Sequence, residues 1–308
     1  MIKVVFLGRS TDVPRLAQLA RGGNAGFAVV EPGDPGARQA EVAVCWRPEP
    51  GALAAYPRLR LIHGIAAGVD NILCDPQLPR VPLCRVVATD LADGMSEFAT
   101  WGALLYHRNL DRTLANQRLH RWQRVPQQPA ARTRVGIMGM GVLGSRVAAD
   151  LQRLGFSVHG WARRPKALDG VRCHAGADAL GPFLAQTDIL VCLLPLTAET
   201  RGILNRATLQ QLPRGAALIH VGRGDHMVTA DVQRLLEEGH LRGALIDVFE
   251  HEPLPADSPL WDTPNLIVTP HIASTADNAG VLGQIAENVR RLQAGEPLLN
   301  LVDPALGY

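Results

Sequence analysis

Three polar residues follow apolar runs in the second half of the chain. In LIHVGRGDHMV (residues 218–228) Arg223 stands between Gly222 and Gly224. In GALIDVFEHEPLPADSPLW (243–261) Glu252 precedes Pro253, and in PNLIVTPHIAS (264–274) His271 follows Pro270. Each apolar run reads as a strand, which puts all three at strand carboxyl ends, where open α/β sheets bind ligands. Together these residue types suit reduction of a 2-keto acid. The keto oxygen becomes an alkoxide and needs a proton, which histidine can deliver near neutral pH. A carboxylate on the other ring nitrogen fixes the tautomer. An arginine holds the acid group and polarises the carbonyl. His271 is therefore the expected acid, Glu252 its orienting partner and Arg223 the clamp, with Arg223 and His271 both touching substrate. Taken singly, Glu252 also reads as a turn former and Arg223 as an ion-pair partner. His63, His107, His120, His159, His174, His220, His226, His240 and His251 read as surface or satisfied core residues.

Hydride chemistry needs a donor site, and RVGIMGMGVLGSRVAA (134–149) has the spacing for one. A short apolar run leads to Gly139, Met140, Gly141, Val142, Leu143 and Gly144, then to an Ala/Val/Leu-rich segment of helical spacing. The first glycine makes the turn, the second admits a pyrophosphate and the third lets helix and strand pack closely. The helix N-terminus offers free N–H groups to the anion. About 20 residues further on, NAD sites carry an acid for the ribose 2′-hydroxyl. SVHGWARRPK (157–166) has none, and Trp161 is followed instead by Arg163, Arg164 and Lys166. A carboxylate repels a 2′-phosphate and arginine pairs with it, so NADP(H) is preferred over NAD(H).

The elements that must position these groups alternate. Strands are expected at 3–7, 28–30, 42–45, 61–64 and 85–87, then at 135–138, 157–161, 189–193, 217–221, 243–247 and 266–268, with helices between most of them. This is an α/β pattern of two parallel sheets. Residues 96–124 lack proline and read as one long helix, 126–129 as a linker and 277–294 as a helix stopped by Gly295; the tail from Pro297 shows no pattern.

The 308 residues suit two domains, and 47% apolar content suffices for two cores. Net charge is +2 with no long Lys/Arg run, which argues against a nucleic-acid partner. No apolar stretch approaches membrane-spanning length. The five cysteines, Cys45, Cys74, Cys84, Cys173 and Cys192, are scattered and form no CxxC pair. A reducing, cytoplasmic setting is expected, with no metal site.

VGIMGMGVLG, LPLTAETRGILN (194–205), VGRGD, DVFEHEPLP and TPHIAS occur in order across 135–275 and resemble the D-isomer-specific 2-hydroxyacid dehydrogenases. Trp46 in VCWRPEPG, with Trp161 and Arg163, is similar to the glyoxylate/hydroxypyruvate reductase A branch, which is NADPH-dependent. The resemblance implies a flavodoxin-like substrate domain (1–98 plus 284–308), a Rossmann nucleotide domain (99–283) and a cleft between them. It implies that the amides of Ala67, Gly68 and Val69 cradle the substrate carboxylate beside Trp46. It also implies that Asp247 meets the nicotinamide carboxamide, with Met95 close by. Leu194, Pro195 and Thr197 would line the adenine and ribose side, and Val221 and Gly222 would complete the cofactor site. Ala66 stands where the family often has glycine, which bears on substrate size. A homodimer is implied, with an arm in 96–124. The partner is a small 2-keto or 2-hydroxy acid. A bulkier keto acid, a phosphite or formate dehydrogenase, and an NADP(H) sensor without catalysis are the alternatives.

Overall fold

A computed structural model describes residues 1–23, 25–304 and 306–307. The chain forms two compact units, Met1–Asp90 with Ala276–Tyr308, and Leu91–Thr275. Both junctions come earlier than 98 and 283. The reason is that a single helix starts at Thr89 and another at Asn278, so the chain changes unit at the start of each.

The first unit holds β1 (Lys3–Gly8), α1 (Asp12–Gly22), β2 (Ala28–Val30), β3 (Val42–Trp46), β4 (Leu61–Gly64), α2 (Asp70–Leu73) and β5 (Leu83–Cys84). Its sheet is parallel in the order β2-β1-β3-β4-β5, the flavodoxin-like order. Alternate strand residues feed two cores. Val4, Phe6, Val42, Val44 and Leu61 pack on one face with α1; Val5, Leu7, Ala43, Cys45 and Ile62 pack on the other. Helix α9 (Asn278–Ala294) closes the first face with Val281, Ile285 and Val289. The Asp277 carboxylate caps its start by accepting from the Ala279 and Gly280 amides, and Gly295 (φ +69°) ends it in the left-handed region.

The strand expected at 85–87 is instead β5 at Leu83–Cys84. The Arg85 amide donates to Asn300 O, Val86 to Ala66 O and Val87 to Gln284 Oε1, so this stretch has left the ladder. The tail that shows no pattern in the sequence pairs here, with Leu301 bridging Cys84 antiparallel and the Val302 amide donating to Leu83 O.

The second unit begins with α3 (Thr89–His107) and α4 (Leu110–Arg118) in place of one long helix. Asn109, at φ +55°, breaks the run in the left-handed region that asparagine tolerates better than most residues. There follow β6 (Arg134–Met138), α5 (Val142–Arg153), β7 (Ser157–Ala162), β8 (Arg172–Ala175), α6 (Leu180–Leu184), β9 (Ile189–Cys192), α7 (Arg206–Leu209), β10 (Ala216–His220), α8 (Thr229–Glu237), β11 (Leu241–Ile246) and β12 (Leu266–Val268). The seven strands run parallel in the order β12-β11-β10-β9-β6-β7-β8. The order reverses between β6 and β9, the topological switch point of a doubly wound sheet. β8 is an edge strand reading RCHA, with no apolar run to mark it in the sequence.

Buried histidines make this fold acid-sensitive. Burial pushes His63 down to about 4, His159 to about 4 and His220 to about 3. The unfolded chain then binds more protons than the native one below the ordinary histidine value of 6.5. Their contribution is fully present above that value and is lost as pH falls toward 4, ahead of the ordinary carboxylate range. Thermal unfolding is expected to give a Tm several degrees lower at pH 5 than at pH 7; an unchanged Tm would contradict this.

Candidate active site

β6 delivers the chain to the glycine turn at the switch point. Gly139 has φ +102°, and a Cβ there would stand 2.6 Å from Leu193 O, so the turn beside β9 excludes any side chain. A Cβ on Gly144 would strike Gly139 O, so the third glycine sets the approach of α5 to its own turn. Above Gly141 nothing lies within 4 Å of a built Cβ. No side chain caps α5, so its leading N–H groups are open. Gly144, Val147, Ala148 and Leu151 bury the opposite face of the helix. A backbone cradle of this kind, open at its second glycine, fits a pyrophosphate.

Trp161, Met140, Leu194 and Val221 are all buried, so what the last three can present to a ligand is mainly backbone. Met140 lies over Gly160, and the Trp161 indole Nε1–H donates to Gly176 O at 2.9 Å. Met95 is a buried residue of α3 itself, packed in the core. Arg163, Arg164 and Lys166 are exposed beyond the end of β7, with no acid at the strand end. Thr197 is held within its own loop: its amide donates to Thr200 Oγ1, its hydroxyl to Glu199 Oε2, and its carbonyl accepts from the Thr200 and Arg201 amides. In the first unit, Trp46 ends β3 half-buried, and Ala67, Gly68 and Val69 lie between β4 and α2. Among the described residues their three amides make no hydrogen bond.

The structure brings His271 and Glu252 together. His271 Nδ1 bonds Glu252 Oε2 at 2.9 Å, with the side chains 34% and 15% exposed. Glu252 Oε1 accepts from the Phe249 amide at 3.0 Å, so both carboxylate oxygens are in use and the carboxylate cannot swing away. With Nδ1–H donating to Glu252, Nε2 is the ring atom left for proton transfer.

His271 lies at φ +56°, where a non-glycine residue is uncommon, and Asp247 supports the turn. The His271 amide donates to Asp247 O at 2.9 Å. Asp247 Oδ1 accepts from Thr269 Oγ1 at 2.6 Å and from the Ile272 amide at 2.9 Å, and Oδ2 accepts from the Ala273 amide at 2.9 Å. Asp247 is 1% exposed, so its carboxylate is first of all the post to which residues 269–273 are tied.

Arg223 follows β10 in extended backbone (φ −139°, ψ 146°), with Nη1–H donating to Gly222 O at 2.9 Å. Its flanking glycines have a reason the sequence hides. A Cβ on Gly222 would stand 2.9 Å from His226 Nδ1, and one on Gly224 would strike the backbone of Phe249. The close approach is by the protein's own ring and chain. His220 and His226, ordinary core histidines in the sequence, therefore belong to this site. Their signal was available: both lie within three residues of Arg223. Among the described residues they form a buried trio with Cys192 whose ligand atoms lie within 4.8 Å of one another. His226 Nδ1 already accepts from the Arg223 amide, which leaves the trio poorly suited to a metal.

A doubly wound sheet with an open glycine cradle, and an acid–histidine pair beyond its strand ends, defines a nucleotide-dependent oxidoreductase. Residues 101–273 match the family described as D-isomer specific 2-hydroxyacid dehydrogenase, NAD binding domain. The chain is 40% identical over 275 residues to glyoxylate/hydroxypyruvate reductase A of Escherichia fergusonii, covering 87% of this chain and 88% of that one. A D-isomer specific 2-hydroxyacid dehydrogenase from Xanthobacter autotrophicus, in complex with NADPH and MES, superposes with a TM-score of 0.92 at 40% identity, covering 100% and 99% of the two chains. The NADPH-dependent glyoxylate/hydroxypyruvate reductase of Sinorhizobium meliloti, in complex with NADP and sulfate, gives 0.91 at 37% identity, covering 100% of each chain. The protein belongs to the D-isomer-specific 2-hydroxyacid dehydrogenase family.

Proposed function

We propose that this protein is an NADPH-preferring reductase of small 2-keto acids, converting glyoxylate to glycolate and hydroxypyruvate to D-glycerate. The observation that carries the reading is the His271–Glu252 pair at 2.9 Å beyond the strand ends of a nucleotide-binding sheet. The names of the relatives above favour the two substrates. The bound nicotinamide would supply the hydride. Arg223 would hold the substrate acid group and polarise its carbonyl, and His271 Nε2 would give the proton to the forming alkoxide. Glu252 would keep that ring in one orientation. In the first unit, the unbonded amides of Ala67, Gly68 and Val69 would receive the acid group beside Trp46. Asp247, as well as tying the His271 turn, would stand near the nicotinamide carboxamide.

The cofactor preference rests on the second nucleotide strand. No acid stands at its end, and Arg163, Arg164 and Lys166 are exposed there. Arg163→Ala is expected to raise KM for NADPH about tenfold or more while leaving KM for NADH within about twofold, since an arginine–phosphate pair is a charge-assisted bond. Equal effects on both cofactors would remove the 2′-phosphate contact.

The partner beyond small molecules is proposed to be a second copy of the chain. Helix α4 buries no residue, and Leu110, Leu114, Leu119 and the fully exposed Trp122 leave apolar surface on and just after it. Surface of this kind marks an interaction site. Among the described residues no helix is long and apolar enough to cross a membrane. All five cysteines are free thiols, and a reducing compartment is proposed as the setting in which they would stay so.

A further inference from the structure

Arginine has a long side chain, so a clamp built on it is only as well placed as its backbone. Both polar backbone atoms of Arg223 are held by imidazoles. Its N–H donates to His226 Nδ1 at 3.0 Å, and its carbonyl accepts from His220 Nε2 at 2.8 Å. Both rings are completely buried. Glycines on either side would otherwise leave this stretch of backbone free to move.

The two ends of the His226 ring face different parts of the site. Nδ1 accepts from Arg223, so the proton sits on Nε2, which donates to Pro195 O at 3.2 Å. Pro195 belongs to the 194–197 loop that the family resemblance implies would line the cofactor. The same carbonyl accepts from Thr200 Oγ1 at 2.7 Å, and the His226 carbonyl accepts from the Leu204 amide at 2.8 Å. One ring thus bridges the clamp and the cofactor loop.

We propose that His226 is a positioning residue that sets the backbone of Arg223 through Nδ1 and ties it to the cofactor loop through Nε2. The inference rests on the reading of Arg223 as the substrate clamp. Two substitutions separate the two ends of the ring. Asparagine places an amide oxygen about where Nδ1 stands, so it can accept from the Arg223 amide but does not reach Pro195. Glutamine reaches toward Pro195 as a donor and offers no acceptor at the Nδ1 position.

The test is steady-state kinetics with glyoxylate and NADPH on the full-length protein, for His226→Asn, His226→Gln and Arg223→Ala, with Tm measured in parallel. His226→Gln is expected to lower kcat and raise KM for glyoxylate, each about tenfold, with KM for NADPH within about twofold. His226→Asn is expected to restore kcat and glyoxylate KM to within about threefold of wild type and to raise KM for NADPH about fivefold. Two variants with equal kinetic losses, or a lowered Tm with unchanged kinetics, would overturn the proposal by making His226 a packing residue. Should the glutamine variant fail to fold, an asparagine variant with wild-type KM for NADPH would overturn the tie to the loop. Wild-type activity in Arg223→Ala would sink the clamp reading itself. An inactive Arg223→Ala beside wild-type His226 variants would sink only the positioning role.

Discussion

Replacing His271 with alanine is expected to lower kcat with glyoxylate by about 10²–10⁴-fold, the range for removing a general acid or base. The alkoxide formed by reduction must be protonated, and His271 Nε2 is the ring atom that its bond to Glu252 leaves available. NADPH binding should persist, because the glycine cradle lies on β6 and α5 and, among the described residues, shares no hydrogen bond with the His271 turn. Fluorescence titration of NADPH checks that point. Turnover near wild type would remove His271 from the proton-transfer role, whatever its geometry.

Replacing Arg223 with alanine is expected to cost kcat about 10²–10³-fold, as loss of one donor to a developing oxyanion does. It should also raise KM for the keto acid. A group that binds the carboxylate in the ground state contributes to KM, and one that polarises the carbonyl contributes to kcat, so a residue doing both moves both. A lysine at 223 should recover little, because a point charge does not reproduce the planar fork of a guanidinium. A variant that loses Tm alone would make Arg223 a structural residue.

Much of this site is legible in the sequence because its backbone demands are severe. Gly139 and Gly144 stand where any Cβ meets the chain, so the turn announces itself. Glu252 and His271 follow strands whose apolar runs are plain, and their meeting follows from the order of the strands. What is not legible comes from packing that no local pattern encodes. The glycines around Arg223 look like room for a ligand, whereas the structure fills that room with the His226 ring and the backbone of Phe249. Asp247 reads as a cofactor contact, but its four bonds to residues 269–273 depend on a turn whose geometry no local pattern specifies. The edge strand β8 carries no apolar run, and β5 is cut short because Asn300 of the tail, Ala66 and Gln284 capture the three amides that follow it. The helix expected over 96–124 fails at Asn109, where helix-favouring composition on both sides hides a left-handed residue.

The most direct measurement is the initial rate of NADPH and NADH oxidation, followed by absorbance, with glyoxylate, hydroxypyruvate, pyruvate and phenylpyruvate in turn. The expected result is turnover on glyoxylate or hydroxypyruvate that prefers NADPH. Turnover confined to phenylpyruvate, or faster with NADH than with NADPH, would contradict the proposed reductase.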